Sequence, residues 1–324
     1  MKFVFVTKGD KLKPVADRVR KEDHDIEVNT SGSTYPSLVI TDMPLTVQKE
    51  KYGFCVGHSK FSESLLDEKY NKAILIMNDF QITNGDANVD VSCWFNGMDF
   101  ALPVVVSVNE DRFMEGRLGR HVDSMGCTLC TCNGSSKIFK TILMPLKALL
   151  RKVGYCGFLT VACVLAEGSY AIVRLEPYFK YDLLYAFFEG VQEELGRALH
   201  GIATGEKKEF KFPSAYAIAV KISIPPFPYT HIRSKVSSLN GLCPENEKHL
   251  WLQNVETDSN GKVVSTAGNG VVASVTARGC SVQECKRRVY RTIDNLSIED
   301  MQYRRDVGTG AKGMFDKLIE WKWL

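Results

Sequence analysis

Short apolar runs alternate with helical spacing over the first part of the chain. Lys2–Val6 reads as a buried strand, a turn follows at Gly9-Asp10, and Val15 and Val19 fall on one side of a helical pattern. Ile26–Val28, Leu38–Ile40 and Phe54–Val56 read as further short strands. Strands separated by helical segments predict a parallel sheet with covering helices, whose ligand end lies at the strands' carboxyl ends. Here that end is the Thr7–Asp10 loop, which holds one glycine and no GxGxxG fingerprint.

The pattern then changes. Val89–Phe95 and Met98–Val106 are apolar runs joined at Asn96-Gly97, a strong hairpin signal. Ile138–Val153 has helical spacing, and Phe158–Ala166 with Tyr170–Leu175 predicts a second hairpin turning at Glu167-Gly168-Ser169. Tyr181–Leu199 reads as one long amphipathic helix. The last third opens with a strand, Tyr216–Ile224, stopped by the rigid prolines of Pro225–Pro228. Three more strands are predicted at His249–Val255, Lys262–Thr266 and Val271–Ala277, with a turn at Asp258–Gly261. Ser281 followed by Glu284 predicts a capped helix.

Composition narrows the function classes. Hydrophobic residues are 44% and charged residues 24% of the 324, an ordinary globular balance. No apolar run approaches the ~20 residues of a membrane span, and MKFVFVTKGDK lacks the h-region and cleavage site of a signal peptide. A net charge of +3 is too even to imply a nucleic-acid or membrane partner. The basic cluster of Lys286, Arg287, Arg288 and Arg291 reads as a solvated helix face. Ten cysteines without an export signal point to reduced thiols in the cytoplasm. The Cys127, Cys130, Cys132 group lacks the second ligand pair of a structural zinc site.

Several segments carry a family resemblance. Gly270–Gly279 (GVVASVTARG), Tyr290 and Tyr303–Gly308 (YRRDVG) resemble the closing domain of phosphoribosylamine–glycine ligases, members of the ATP-grasp superfamily. Pro225–Tyr229 (PPFPY) is similar to a proline-rich strand end in bacteriophage and bacterial branches of that family. Ser124–Thr128 resembles its GGMG segment, and Asp90–Gly97 its G-x-E-x-S strand and hairpin. Gly154–Gly157 resembles the GYxG that opens the metal-bearing strand, and Val56–Ser59 a V-x-G-x-S turn. The resemblance implies an α/β and α+β architecture: an N-terminal parallel α/β domain (1–70), a shortened connection (71–88), a reduced ATP-grasp core (89–212) and a C-terminal β-rich domain with a helix (213–324).

In that family ATP phosphorylates glycine's carboxylate, and phosphoribosylamine displaces the phosphate, a purine-biosynthetic step that needs magnesium beside the ATP phosphates. Three departures bear on it. The stretch from Lys69 to Val89 is too short for the lobe that covers ATP, and Asn84-Gly85-Asp86 reads as a turn bridging a deletion. Aligned on Phe179, Arg174 stands at the metal-binding glutamate, Tyr178 at the arginine and Lys180 at the glycine. Glu176, two residues along the same strand face, is then the candidate metal ligand. Arg117 stands where an aspartate is usual.

The expectation is therefore a divergent ligase-like protein without ordinary ATP-dependent activity. Its expected ligand is a phosphate-bearing small molecule or nucleotide, with Gly9, Asp10, Arg174, Lys180, Arg304 and Asp306 as substrate-binding candidates. Glu110, Arg112 and Glu176 are the candidates for any retained catalysis, and ATP and magnesium its cofactors if the ligation survives. The alternatives are an active ligase with an altered metal site and a scaffold for a protein partner. The aromatic tail, Trp321 and Trp323, is expected to pack on the body of the chain.

Overall fold

The computed structural model describes residues 2–7, 10–29, 38–41, 55–57, 86–229 and 231–324. Gly9, Phe54, His58, Ser59 and the stretch 58–85, including the proposed turn at Asn84-Gly85, lie outside them.

The N-terminal unit is a parallel sheet in the order β2-β1-β3-β4, from β1 (Lys2–Val6), β2 (Asp25–Asn29), β3 (Leu38–Thr41) and β4 (Cys55–Gly57). Helix α1 (Lys13–Arg20) starts with Pro14 in its first turn, where a missing N–H costs nothing. It buries Val15, Ala16 and Val19.

The body is one eight-stranded sheet, ordered β11-β10-β5-β6-β9-β12-β16-β13. Its first hairpin joins β5 (Ala87–Phe95) to β6 (Phe100–Asn109), and its second joins β10 (Gly157–Leu165) to β11 (Tyr170–Glu176). Between them in sequence run β7 (Arg112–Met114), β8 (Leu118–His121) and β9 (Gly126–Cys132). The last third adds β12 (Tyr216–Ser223), β13 (Leu250–Leu252), β14 (Val255–Thr257), β15 (Val263–Ser265) and β16 (Val271–Gly279). Strand β9 pairs with β6 on one side and β12 on the other, so the sheet runs unbroken past residue 212.

One face of this sheet carries α3 (Tyr181–Gly190) and α4 (Leu195–Ala203), with the N-terminal unit beyond them. Trp94 on that face is ringed by Phe158, Phe179, Phe187, Phe188 and Phe210. Aromatic pairs add about 0.5–1.5 kcal/mol each beyond their area, so this cluster fixes α3 on the sheet. The opposite face carries two further cores, under α2 (Lys147–Lys152) with α7 (Ala311–Glu320), and under α6 (Val282–Asp294). A short α5 (Pro244–Glu247) precedes β13.

Four expectations are corrected. The segment Ile138–Val153 is not one helix: a π turn (Phe139–Leu143) and a 3-10 turn (Met144–Leu146) precede α2, because Pro145 has no N–H to continue the ladder. The helix expected over Tyr181–Leu199 breaks after Gly190, where a Cβ would meet the Phe212 ring at 1.9 Å. Its second half starts anew, with the Glu22 carboxylate accepting from the N–H groups of Leu195 and Gly196. The Asn96-Gly97 turn is longer than a two-residue loop: Asn96 N–H donates to the Asp99 carbonyl, and its side chain accepts from Met98 and Asp99. The strand expected over His249–Val255 is split into β13 and β14 at Asn254, whose φ is +47°.

Ser281 caps α6 by accepting from Glu284 N–H, while the Glu284 carboxylate reaches Cys280 N–H. Trp323 is 1% exposed, and its indole N–H donates to the Ala166 carbonyl, so the tail packs on the body. Among the described residues no helix is long and apolar enough to cross a membrane.

Candidate functional site

Strand register decides which polar side chains meet. Directly paired residues of an antiparallel sheet share a face. Asp90 pairs with Ser107 and Ala162, and Ala162 pairs with Arg174. Between Ala162 and Cys163 the register slips, leaving Val173 as an extra residue in β11. A one-residue slip moves side chains to the other face. Tyr170 and Ile172 therefore stay with the apolar core on one side, while Arg174 and Glu176 emerge beside Asp90 on the other.

The result is a polar row across the helix-bearing face, running from Arg174 and Glu176 through Asp90 and Asn109 to Lys221 and Ser274. The N-terminal turn of α3 sets Lys180 and Asp182 on top of it. The Lys180 ammonium lies 2.5 Å from Asp90 Oδ2 and 2.5 Å from Glu176 Oε2. Asn109 donates its amide to the same Asp90 oxygen. Arg174 Nε (2.6 Å) and the Tyr178 hydroxyl (2.7 Å) both donate to Glu176 Oε1. Further along, Asp182 accepts from Ser274 Oγ at 2.7 Å and faces Lys221 at 3.2 Å.

Exposure grades across this row. Glu176 is 1% exposed and Asp90 7%, the Lys180 side chain is 22% exposed and that of Arg174 61%. Burial pushes the Asp90 carboxyl up, against the pull of Lys180. Burial pushes Glu176 the same way, but Lys180, Tyr178 and Arg174 outweigh it and hold that carboxyl below its ordinary value. Cys127 lies in this row too, and burial together with Asp182 and Asp90 drives its thiol far up, so it stays protonated.

A second charge cluster lies on the other side of the same strand end. Arg304 is 2% exposed. Its Nε and Nη2 donate to the two oxygens of Asp306, both at 2.7 Å, and Nη1 donates to the Arg112 carbonyl at 3.1 Å. Glu110 Oε2 sits 3.0 Å from Nη2. Asp306 also accepts from Gly116 N–H, and Glu115 from Arg305 N–H. Burial raises the Glu110 carboxyl despite Arg304. This group buckles the β7–β8 hairpin to the segment before α7.

The sequence-derived candidates thus divide. Arg174, Glu176 and Lys180 come together, while Glu110, Arg304 and Asp306 form the buckle with the backbone of Arg112. The Arg112 side chain bonds Gly119 within its own hairpin. Gly9 is outside the described residues, and Asp10 opens a 3-10 turn next to Lys11, whose ammonium lies 5.2 Å from the Tyr181 ring centre. Asp90, Asn109, Asp182 and Lys221 belong to the row but were not singled out from the sequence. The Asp90-Val91-Ser92 segment carried a signal for the first of these.

The residues present do not fit a magnesium ion. Magnesium needs carboxylate oxygens at about 2.0–2.1 Å with room for water, and an ammonium already stands between the two carboxylates, with a guanidinium on Glu176. The stretch from Lys69 into residue 85, where a lobe over ATP was sought, lies outside the described residues. Along β9, strand alternation sends Cys127 to one face and Cys130 and Cys132 to the other, so the three thiols do not converge. Among the described residues no group of three metal-type ligands occurs.

No family model matches the chain. Among curated proteins, the phosphoribosylamine–glycine ligase of Chlorobaculum tepidum is 27% identical over 218 residues, covering 62% of this chain and 48% of the relative. The chain spans about half the length of the curated relatives it matches. Among solved structures, the phosphoribosylamine–glycine ligase of Thermotoga maritima matches with a TM-score of 0.66 at 13% identity, over 95% of this chain and 100% of that one. The biotin carboxylase domain of a single-chain bacterial carboxylase matches with a TM-score of 0.56 at 9% identity, over 99% of this chain and 100% of that one. At these identities the structural likeness is one of fold. The chain thus resembles phosphoribosylamine–glycine ligases in sequence and shares their fold.

Proposed function

We propose that this chain is a ligase-like binding protein that does not carry out ordinary metal-assisted, ATP-dependent ligation and that holds a phosphate-bearing small molecule or nucleotide. The observation that carries this reading is the Lys180 ammonium, seated between Asp90 and Glu176 where a metal would have to sit. Arg174 supports the ligand class. It is the most exposed charge of the row, and only its Nε is engaged among the described residues, leaving the terminal nitrogens for a phosphate. Neither a nucleic acid nor a membrane is part of this reading, while a protein partner is left open.

A second reading, an active carboxylate–amine ligase with an altered metal site, has one observation in its favour: two buried carboxylates remain side by side.

The test is a thermal-shift and calorimetry panel on the purified chain. It uses ribose 5-phosphate, glycinamide ribonucleotide, common nucleotides, glycine and magnesium-ATP, each with and without chelator. A ligand at a hundred times its dissociation constant adds about 2.7 kcal/mol of stability. Stabilisation by a phosphorylated compound that persists in chelator, and is lost in Arg174→Ala, is the expected result. Stabilisation by magnesium-ATP alone, with phosphate release when glycine is added, would replace it with the ligase reading. A flat panel would turn attention to protein partners.

A further inference from the structure

We propose that Lys180 is a tethered substitute for a divalent cation, and that Asp90 and Glu176 form a divalent-cation site closed by that one amine. The inference rests on the reading above that this row works without metal, and takes it to a specific atom. The Lys180 nitrogen stands 2.5 Å from an oxygen of each carboxylate. One cation in contact with an oxygen of each of two carboxylates is the arrangement by which carboxylates share a divalent ion.

Charge and donors point the same way. Asp90 and Glu176 are balanced by Arg174 and Lys180, so a dication added to the intact row would leave it strongly positive. With the ammonium removed, two carboxylates face one guanidinium and the row attracts a cation. Glu176 Oε2, on a residue only 1% exposed, is turned to the Lys180 ammonium. What it faces is positive charge, which is also what a metal-bound oxygen faces. The Asn109 amide, already on Asp90, can offer its oxygen after a flip, and Ser107, paired with Asp90 in register, has a buried hydroxyl without a hydrogen-bond partner.

The tether has a structural origin. Lys180 is the residue before α3, with extended backbone (φ −81°, ψ 103°). It is anchored by Phe179, buried against Trp94. The side chain therefore reaches the sheet from a fixed point, and the cation it delivers cannot be lost by dilution or chelation.

The experiment compares the wild type with Lys180→Ala by calorimetry and thermal melting, using manganese, magnesium or calcium as the only added probe. The wild type should melt at the same temperature in chelator and in millimolar divalent cation. Lys180→Ala should melt lower in chelator, recover by several degrees with the cation, and bind one equivalent. A further Glu176→Gln change should erase that response. Lys180→Gln, which keeps most of the side-chain length, repeats the comparison if the alanine variant folds poorly.

A Lys180 variant indifferent to divalent cations would overturn the proposal. So would a wild type that takes up one manganese ion, by paramagnetic resonance, that Glu176→Gln does not. This last measurement needs neither Lys180 variant to fold. Because the probe is a bare cation, failure here is separable from failure of the function reading, which the small-molecule panel decides.

Discussion

Two clusters of the same arithmetic sit back to back at one strand end. In each, a single basic side chain bridges two carboxylates: Lys180 between Asp90 and Glu176, and Arg304 between Glu110 and Asp306. Adjacent residues feed them, Asn109 one and Glu110 the other. They differ in what the cation has left to give. Arg304 directs its donors at partners inside the protein and is 2% exposed, joining segments nearly two hundred positions apart. Lys180 is a point charge at the mouth of a row that ends in an exposed guanidinium. An arginine fork with its valences filled is a staple, whereas a lysine under an open arginine is the arrangement of a site.

That contrast breaks most easily at the staple. Arg304→Met should cost about 3–5 kcal/mol by leaving the buried Glu110 carboxylate without its cation and cutting Asp306 from the β7–β8 hairpin's anchor, measured by denaturant unfolding. Amide exchange should quicken over residues 112–121. Lys180→Met should cost less, about 1–3 kcal/mol, because Asn109 still holds Asp90 while Arg174 and Tyr178 still hold Glu176. Equal losses would make both clusters staples.

The pH dependence sharpens the comparison. Glu176 titrates below its ordinary value, so its stabilisation is present above the ordinary carboxylate value and lost as pH falls through its depressed folded value. The stability gap between wild type and Glu176→Gln, about 1–2 kcal/mol at neutral pH, should therefore hold down to the ordinary carboxylate range and narrow as pH falls below it. A gap that widened on acidification would remove the charged pairing from the argument. The smallest effect on stability belongs to Arg174→Ala, about 1 kcal/mol, because the arginine is solvent-exposed and Lys180 and Tyr178 remain on Glu176. The same change should weaken binding of a phosphorylated ligand about tenfold or more.

Much of the scaffold was legible because its signals are local. The apolar run of Lys2–Val6, the turn at Glu167-Gly168-Ser169 and the Ser281 cap each sit within a few residues of what they determine. Breaks imposed from a distance were not legible. At the end of α3 the Phe212 ring leaves room only for a glycine at position 190, and the start of α4 at Leu195 is capped by Glu22. The candidate site was half legible for the same reason. Arg174, Glu176 and Lys180 stand close together in sequence, but their meeting with Asp90 depends on the extra residue Val173, which apolar alternation around Ile172 and Val173 conceals. Arg304 and Asp306 drew attention as charges in a motif, and only the burial of Arg304 and its contact with Glu110 show the pair to be fastened inside the protein.

The continuous sheet also sets a timetable for synthesis. Strand β9 finds one neighbour, β6, already made, but its other neighbour begins at Tyr216. At 5–20 residues per second the ribosome needs on the order of ten seconds to deliver it. Throughout that interval Gly126–Cys132, a run without a charged side chain, forms the open margin of a growing sheet. An uncovered strand margin pairs with whatever strand arrives first. A chain folded as far as β9 therefore presents two open margins, β5 until β10 is made and β9 until β12 is made, and slower translation lengthens both exposures.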